Sequence, residues 1–217
     1  MKVVAFNGSP KRNGNTQHII QMVADELVRE GMEVEIIHVG LTATHGCIAC
    51  NWCAKNRTEQ CVFKEDAVNG WIQKMKEADG IILGSPTYYS NIAGTMKCFL
   101  DRAFYVAGVN GGLFRGKVGA AVAAVRRTGG MVVYQNLLSY FTISEMNVVS
   151  ANYWNVVHGG LPGEVMQDEE GVQLSRLLGR NMAWMLKVRE ATRDTIPFPE
   201  AERKVYTNFI RNTRKEE

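Results

Sequence analysis

Charge of one sign, membrane-length apolar runs and internal repeats are scarce or missing in this 217-residue chain. A formal net charge of +3, with no basic block interleaved with aromatics, leaves no electrostatic footprint for nucleic acid, so no nucleic-acid partner is expected. The uncharged stretch 128–144 carries Gly, Gln, Asn and Ser and makes a poor bilayer span, so no membrane partner is expected either. The first residues enter an apolar run without the charged, apolar and small-residue regions of a secretory leader, which points to a cytoplasmic location. Low-complexity segments are absent. Cysteine is rare except in one place: four of the five lie between residues 47 and 61. In a reducing compartment such crowding speaks for metal or redox chemistry over a disulfide framework.

What is present is ordinary in bulk and specific in detail. Hydrophobic residues at 46% and charged residues at 22% suit a soluble globular domain long enough for one sizeable α/β core. Residues 2–7, 34–39, 79–84, 118–125 and 147–153 read as strands. Helical spacing covers 16–30, where Ile19, Ile20, Val23, Ala24, Leu27 and Val28 form the apolar stripe, and recurs over 67–78, 94–107, 131–141 and 174–191. Such alternation builds a mostly parallel sheet, whose ligands lie beyond the carboxyl ends of its strands where strand order reverses. The expected layout is a domain over 1–191 with a Cys-rich insertion at about 45–65, then a C-terminal extension over 192–217.

Three loops leave that edge of the sheet. The first joins strand one to a helix, where unpaired N–H groups and the positive end of the helix dipole favour an anion. Ser9, Asn15 and Thr16 offer donors there, Asn13 and Gly14 continue the loop, and Lys11 and Arg12 add charge. The order is neither the G-x-x-x-x-G-K-[ST] of nucleoside triphosphate loops nor the G-x-G-x-x-G of dinucleotide loops, which leaves a terminal monophosphate as the better ligand. An ordinary turn, with Ser and Asn capping the helix, would use the same residues. After strand three come Pro86, Thr87, Tyr88, Tyr89, Ser90 and Asn91; a Gly-Ser-Pro opening is expected to end the strand, and two tyrosines in a polar loop suit stacking on a flat heterocycle. After strand four come Arg126, Arg127, Thr128 and Gly129, where a guanidinium could face a ring edge and glycine permits close approach.

The cysteines Cys47, Cys50, Cys53 and Cys61 are spaced C-x2-C-x2-C-x7-C after strand two, on the same edge. Three thiols at intervals of three with a fourth from a short loop suit a [4Fe–4S] cluster. Zinc would accept the same ligands, although structural zinc sites usually bring two separated pairs. A metal-free thiol cluster is the plain alternative. Cys98 and Trp71 read as core, His45 as a solvated loop residue, and His158 as a loop or subunit contact.

The first loop resembles the phosphate loop of flavodoxin-like NAD(P)H-dependent FMN reductases, close to G-S-P-x-x-x-G-N-T, with Gly8, Ser9, Pro10, Gly14, Asn15 and Thr16 at its fixed positions. Pro86-Thr87-Tyr88 resembles that family's P-x-Y segment, and Lys97 with Asp101-Arg102 its K-x-x-x-D-R helix. Residues 159–164 resemble its glycine-rich loop after strand five. The cysteine spacing resembles that of iron–sulfur flavoproteins, a branch of the same superfamily, at the long end of the last interval. This resemblance implies a three-layer flavodoxin-like fold with a five-stranded parallel sheet of order 2-1-3-4-5. It further implies FMN as cofactor, a [4Fe–4S] cluster in the iron–sulfur branch, and NAD(P)H or a protein as donor. The acceptor would be a flavin, quinone, nitro compound or protein, reached without a catalytic acid or base, so no catalytic residue is named. A small-molecule or protein redox partner and a homodimer or homotetramer follow from the same source. Competing readings are a non-enzymatic flavodoxin-type carrier, a cluster-free flavoprotein with redox thiols, and a zinc-stabilised binding module. The net charge of +3 counts against the acidic docking of such carriers.

Overall fold

The computed structural model describes residues 1–202 and 204–207. The rest of the expected 192–217 extension lies outside the described residues. Strand β1 (Lys2–Asn7) is buried along almost its whole length, as a central strand covered on both faces must be. It leads into helix α1 (Asn15–Arg29), and β2 (Glu33–His38) returns parallel beside it. A short helix α2 (Trp52–Asn56) and helix α3 (Val68–Glu77) precede β3 (Gly80–Tyr88). A two-residue strand β4 (Asn91–Ile92) follows, then α4 (Gly94–Val109), β5 (Val118–Val125) and α5 (Gly130–Ile143). Strands β6 (Asn147–Val148) and β7 (Val156–His158), a single 3-10 turn (Glu164–Gln167) and the long helix α6 (Glu169–Thr192) close the chain.

The sheet runs β2-β1-β3-β5-β6, with β4 antiparallel to β3 and β7 parallel to β5. The five-strand parallel path is the one expected, and the correction is in the count of seven strands. Residues 147–153 do not form one strand. Asn147–Val148 pairs with the start of β5, the chain swings out past exposed Tyr153 and Trp154, and Val156–His158 pairs with the end of the same strand. The excursion is tied down at Ser150, whose carbonyl accepts from Asn181 Nδ2 at 2.8 Å, and at Asn155, whose carbonyl accepts from Ala123 N at 2.9 Å.

Strand β3 also departs from expectation, since it passes through Pro86 to Tyr88. Its pairing with β1 stops at Gly84 while that with β5 continues to Pro86, so the proline's missing N–H falls where no β1 residue needs it. Helix α6 begins at Glu169 because Asp168 caps it, accepting from Gly171 N at 2.9 Å. Val28 of the expected stripe on α1 is exposed.

Helices α1 and α6 cover one face of the sheet over Val3, Ala5, Ile82, Ala120 and Val122. Helices α3, α4 and α5 cover the other over Phe6, Ile81, Leu83 and Ala121. This three-layer arrangement sends the loops after β1, β3, β5 and β7 to one edge.

Candidate functional site

The loop after β1 is held shut by its own polar groups. Asn7 Oδ1 accepts from Ser9 N at 2.9 Å and Ser9 Oγ from Lys11 N at 3.2 Å, which turns the chain back on itself before α1. Gly14 is the N-cap and leaves the helix start without a side-chain cap. A Cβ at Gly14 would lie 2.9 Å from Lys11 Cβ and 3.2 Å from Ser9 Oγ, so the tight loop needs glycine there. Capping by Ser or Asn, the ordinary-turn alternative, is not what the loop does.

Above this helix start lies a cleft of about 140 Å³, lined by Ser9, Lys11, Gly14, Asn15, Thr16, Pro86, Thr87, Tyr88, Arg126 and the glycines of the loop after β7. Two of its hydroxyls are unusual. Thr16 Oγ1 and Thr87 Oγ1 are both buried and have no hydrogen-bond partner among the described residues. Burying an unpaired hydroxyl costs about 1–3 kcal/mol, and two of them belong to residues that line this one cleft, an arrangement that suits a ligand bringing acceptor oxygens.

Asn15 does something else. Its Nδ2 donates to Gly159 O and its Oδ1 accepts from Gly163 N, both at 2.9 Å, so its side chain is engaged in docking the 159–163 loop onto α1. That loop supplies Gly159, Gly160 and Pro162 to the cleft, residues that the sequence reading did not include among the site residues. Their signal was the Gly-Gly-Leu-Pro-Gly run itself. A Cβ at Gly159 would lie 2.9 Å from Asn15 Nδ2.

The remaining expected residues fall outside the cleft lining. Arg12 and Asn13 are exposed, and Arg12 lies near His38, where burial first and then the guanidinium hold the imidazole below its ordinary value. Tyr89 and Ser90 have φ of 48° and 56° and form the tight β3–β4 turn, with Tyr89 wholly exposed. Asn91 Oδ1 accepts from Asn136 Nδ2 at 3.1 Å and ties this turn to α5. Gly129 has φ of 85°, and a Cβ there would lie 2.5 Å from Ser90 Oγ, so the two turns pack together as one wall. Arg127 and Thr128 are exposed on it. His158 is exposed in an adjoining open groove with Arg126, its Nδ1 lying 3.5 Å from Asp168 Oδ2.

The four expected cysteines Cys47, Cys50, Cys53 and Cys61 line one small cavity walled by Ile48, Val62, Phe63, Tyr105 and Val106. Cys53 is buried, and burial pushes its thiol up, with Cys61 and Cys50 nearby adding to the effect. Among the described residues, no three or more His, Cys, Asp or Glu side chains converge closely enough to hold a single metal ion. A cubane binds each thiolate at a separate iron and therefore takes a wider spread of sulfurs than one ion does. An all-thiolate donor set, with Cys47 and Cys50 exposed and the Arg102 guanidinium in the cavity lining, fits that chemistry.

Arg102, which lines the same cavity, is 1% exposed, and burial opposes its charge while Asp66 and Cys61 more than compensate. The same ion pair holds the Asp66 carboxyl below its ordinary value against the opposing effect of burial. His45 is exposed, as expected of a loop residue, and its ring stacks on Phe63 at 4.8 Å. Cys98 is half-buried instead of core, its Sγ 3.7 Å from where a Cβ on Gly46 would lie, and Trp71 is buried among Phe6 and Phe99.

A family model described as NADPH-dependent FMN reductase matches residues 1–160. An iron–sulfur flavoprotein of Methanocaldococcus jannaschii is 35% identical over 195 residues, 87% of this chain and 98% of the relative. Among solved structures, RosB with bound 8-demethyl-8-formylriboflavin-5'-phosphate superposes with a TM-score of 0.68 at 16% identity, covering 100% of this chain and 96% of RosB. A flavodoxin from the domain Archaea superposes at 0.56 with 18% identity, covering 86% and 99%. These last two likenesses speak for the fold.

Proposed function

The chain belongs to the NADPH-dependent FMN reductase family, and from that premise we propose that it is an FMN-dependent oxidoreductase with an iron–sulfur centre. It takes electrons from NAD(P)H or a protein donor and passes them to a flavin, quinone, nitro compound or protein acceptor. The observation that carries the flavin reading is the pair of buried, unpartnered hydroxyls of Thr16 and Thr87 in a cleft at an uncapped helix start.

In this reading Ser9, Thr16 and the first N–H groups of α1 hold the phosphate, and Lys11 and Arg126 balance its charge. Pro86, Thr87 and Tyr88 set one side of the ring and the 159–163 loop another. FMN, when bound, would supply a ring that exchanges electrons in pairs or singly, and a cluster on Cys47, Cys50, Cys53 and Cys61 would supply single-electron capacity. Ile48, Val62, Phe63 and Val106 wall the cavity on its apolar side, while Cys47 and Cys50 stay open to solvent. The exposed aromatics Tyr89, Trp154 and Trp184 support assembly into a homodimer or homotetramer.

Anaerobically purified protein tests this through its visible spectrum, its iron and acid-labile sulfide content, and titration with FMN and riboflavin. Two resolved flavin bands, iron with matching sulfide, and FMN bound at least tenfold more tightly than riboflavin are expected. Protein that binds neither compound would remove the flavin reading. NAD(P)H oxidation with an artificial acceptor then separates an enzyme from a carrier, which would show almost none.

A further inference from the structure

Arg102 is the largest wholly buried side chain among the described residues, and it is not among those lining the cleft. Its five N–H groups are all engaged. Nε donates to Cys61 Sγ at 3.3 Å, and the two terminal nitrogens clasp the Asp66 carboxylate, one oxygen each. The last two donors go to His45 O at 3.2 Å and Phe63 O at 3.3 Å. These carbonyls stand two residues before Cys47 and two after Cys61, so one guanidinium from α4 grips both ends of the cysteine segment and touches a cysteine sulfur directly.

A structural clamp would need no charge at the sulfur. Backbone carbonyls and the loop itself are also tied by Asn69, which accepts from Cys61 N at 2.7 Å and donates to Cys61 O at 3.1 Å and Phe63 O at 2.9 Å. Arg102 therefore brings something Asn69 does not: a buried positive charge and an N–H···S bond at one ligand. Both favour the more negative, reduced form of an iron–sulfur centre, and Asp66 opposes them with the opposite sign.

Resting on the cluster reading above, we infer that Arg102 is a positioning residue that raises the reduction potential of the centre held by Cys61, with Asp66 setting how far. Arg102 acts through the Cys61 sulfur and does not touch the FMN cleft.

The test is an anaerobic potentiometric titration with dithionite and mediators, followed by the electron paramagnetic resonance of the reduced centre, on the full chain and on Arg102→Gln, Arg102→Lys, Asp66→Asn and Asn69→Ala. Arg102→Gln should lower the potential by a tenfold or greater change in the reduction equilibrium, about 59 mV for one electron. Asp66→Asn should raise it, Arg102→Lys should recover part of the loss, and Asn69→Ala, which loosens the same loop without changing charge, should leave it nearly unmoved. The inference is overturned if Arg102→Gln and Asp66→Asn shift the potential the same way, or if Asn69→Ala shifts it as far as Arg102→Gln. Should Arg102→Gln fail to hold iron, Asp66→Asn against Asn69→Ala decides, since their predicted shifts still differ. Wild-type protein free of iron and sulfide would overturn the cluster reading and this inference together; iron present with potentials unmoved would overturn this inference alone.

Discussion

Thr16 Oγ1 and Thr87 Oγ1 have no partner among the described residues, so each lowers stability in return for readiness to bind. Replacing Thr16 by Val keeps the shape and removes the orphan group. The expected outcome is unchanged or slightly higher thermal stability without ligand. FMN affinity should fall roughly tenfold to a hundredfold, the value of about 1.5–3 kcal/mol for a hydrogen bond to a charged group. Riboflavin affinity, which involves no phosphate, should stay the same, and equal losses for the two compounds in fluorescence titrations would place Thr16 away from the phosphate. The Gly-Asn-Thr run made Thr16 visible in the sequence. The employment of Asn15 was not visible, because its partners Gly159 and Gly163 stand 144 and 148 residues further on.

At the level of elements, the seam between α1 and α6 supports the floor of the cleft. A Cβ on Gly179 would lie 2.7 Å from Val23 O and 2.7 Å from Glu26 Cβ, so the two helices approach to backbone contact. Gly179→Ala should therefore destabilise the protein by about 1–3 kcal/mol, the usual cost of overpacking, despite alanine's better helix propensity. Chemical denaturation checks this, and a stabilised variant would show that the seam relaxes. The β3–β4 hairpin illustrates what local patterning misses. Gly-Ser-Pro reads as a strand end, yet β5 carries the pairing on to Pro86 after β1 has stopped, and the turn at Tyr89 and Ser90 then closes against Gly129. The interrupted partner of β5 has the same origin. Val156–His158 is too short to announce itself, and its place comes from the strand it joins.

Over the whole molecule, the described residues contain no helix long and apolar enough to cross a membrane. They leave Tyr89, Tyr153, Trp154 and Trp184 more than half exposed. Tyr153 and Trp154 pack on one another at 4.7 Å, and large aromatics exposed in company are usual at contacts between chains. Sedimentation velocity at micromolar concentration should show two or four chains together, and Trp184→Glu or Trp154→Ser should shift the population toward the monomer with the fold retained. A wild-type protein that stays monomeric at tens of micromolar would remove the proposal of a homo-oligomer.

Periodicity was enough for the alternating α/β plan, because each element depends on neighbours a few positions apart, and the family resemblance supplied the five-strand order. The spacing of the four cysteines grouped them, and all four line one cavity. Distant contacts decided the rest: which hydroxyls stay unpaired, that Asn15 docks a remote loop, and that Arg102 on α4 reaches a cysteine 41 residues away. Those outcomes belong to packing, since whether a buried polar group finds a partner is settled when separated segments meet and water is expelled.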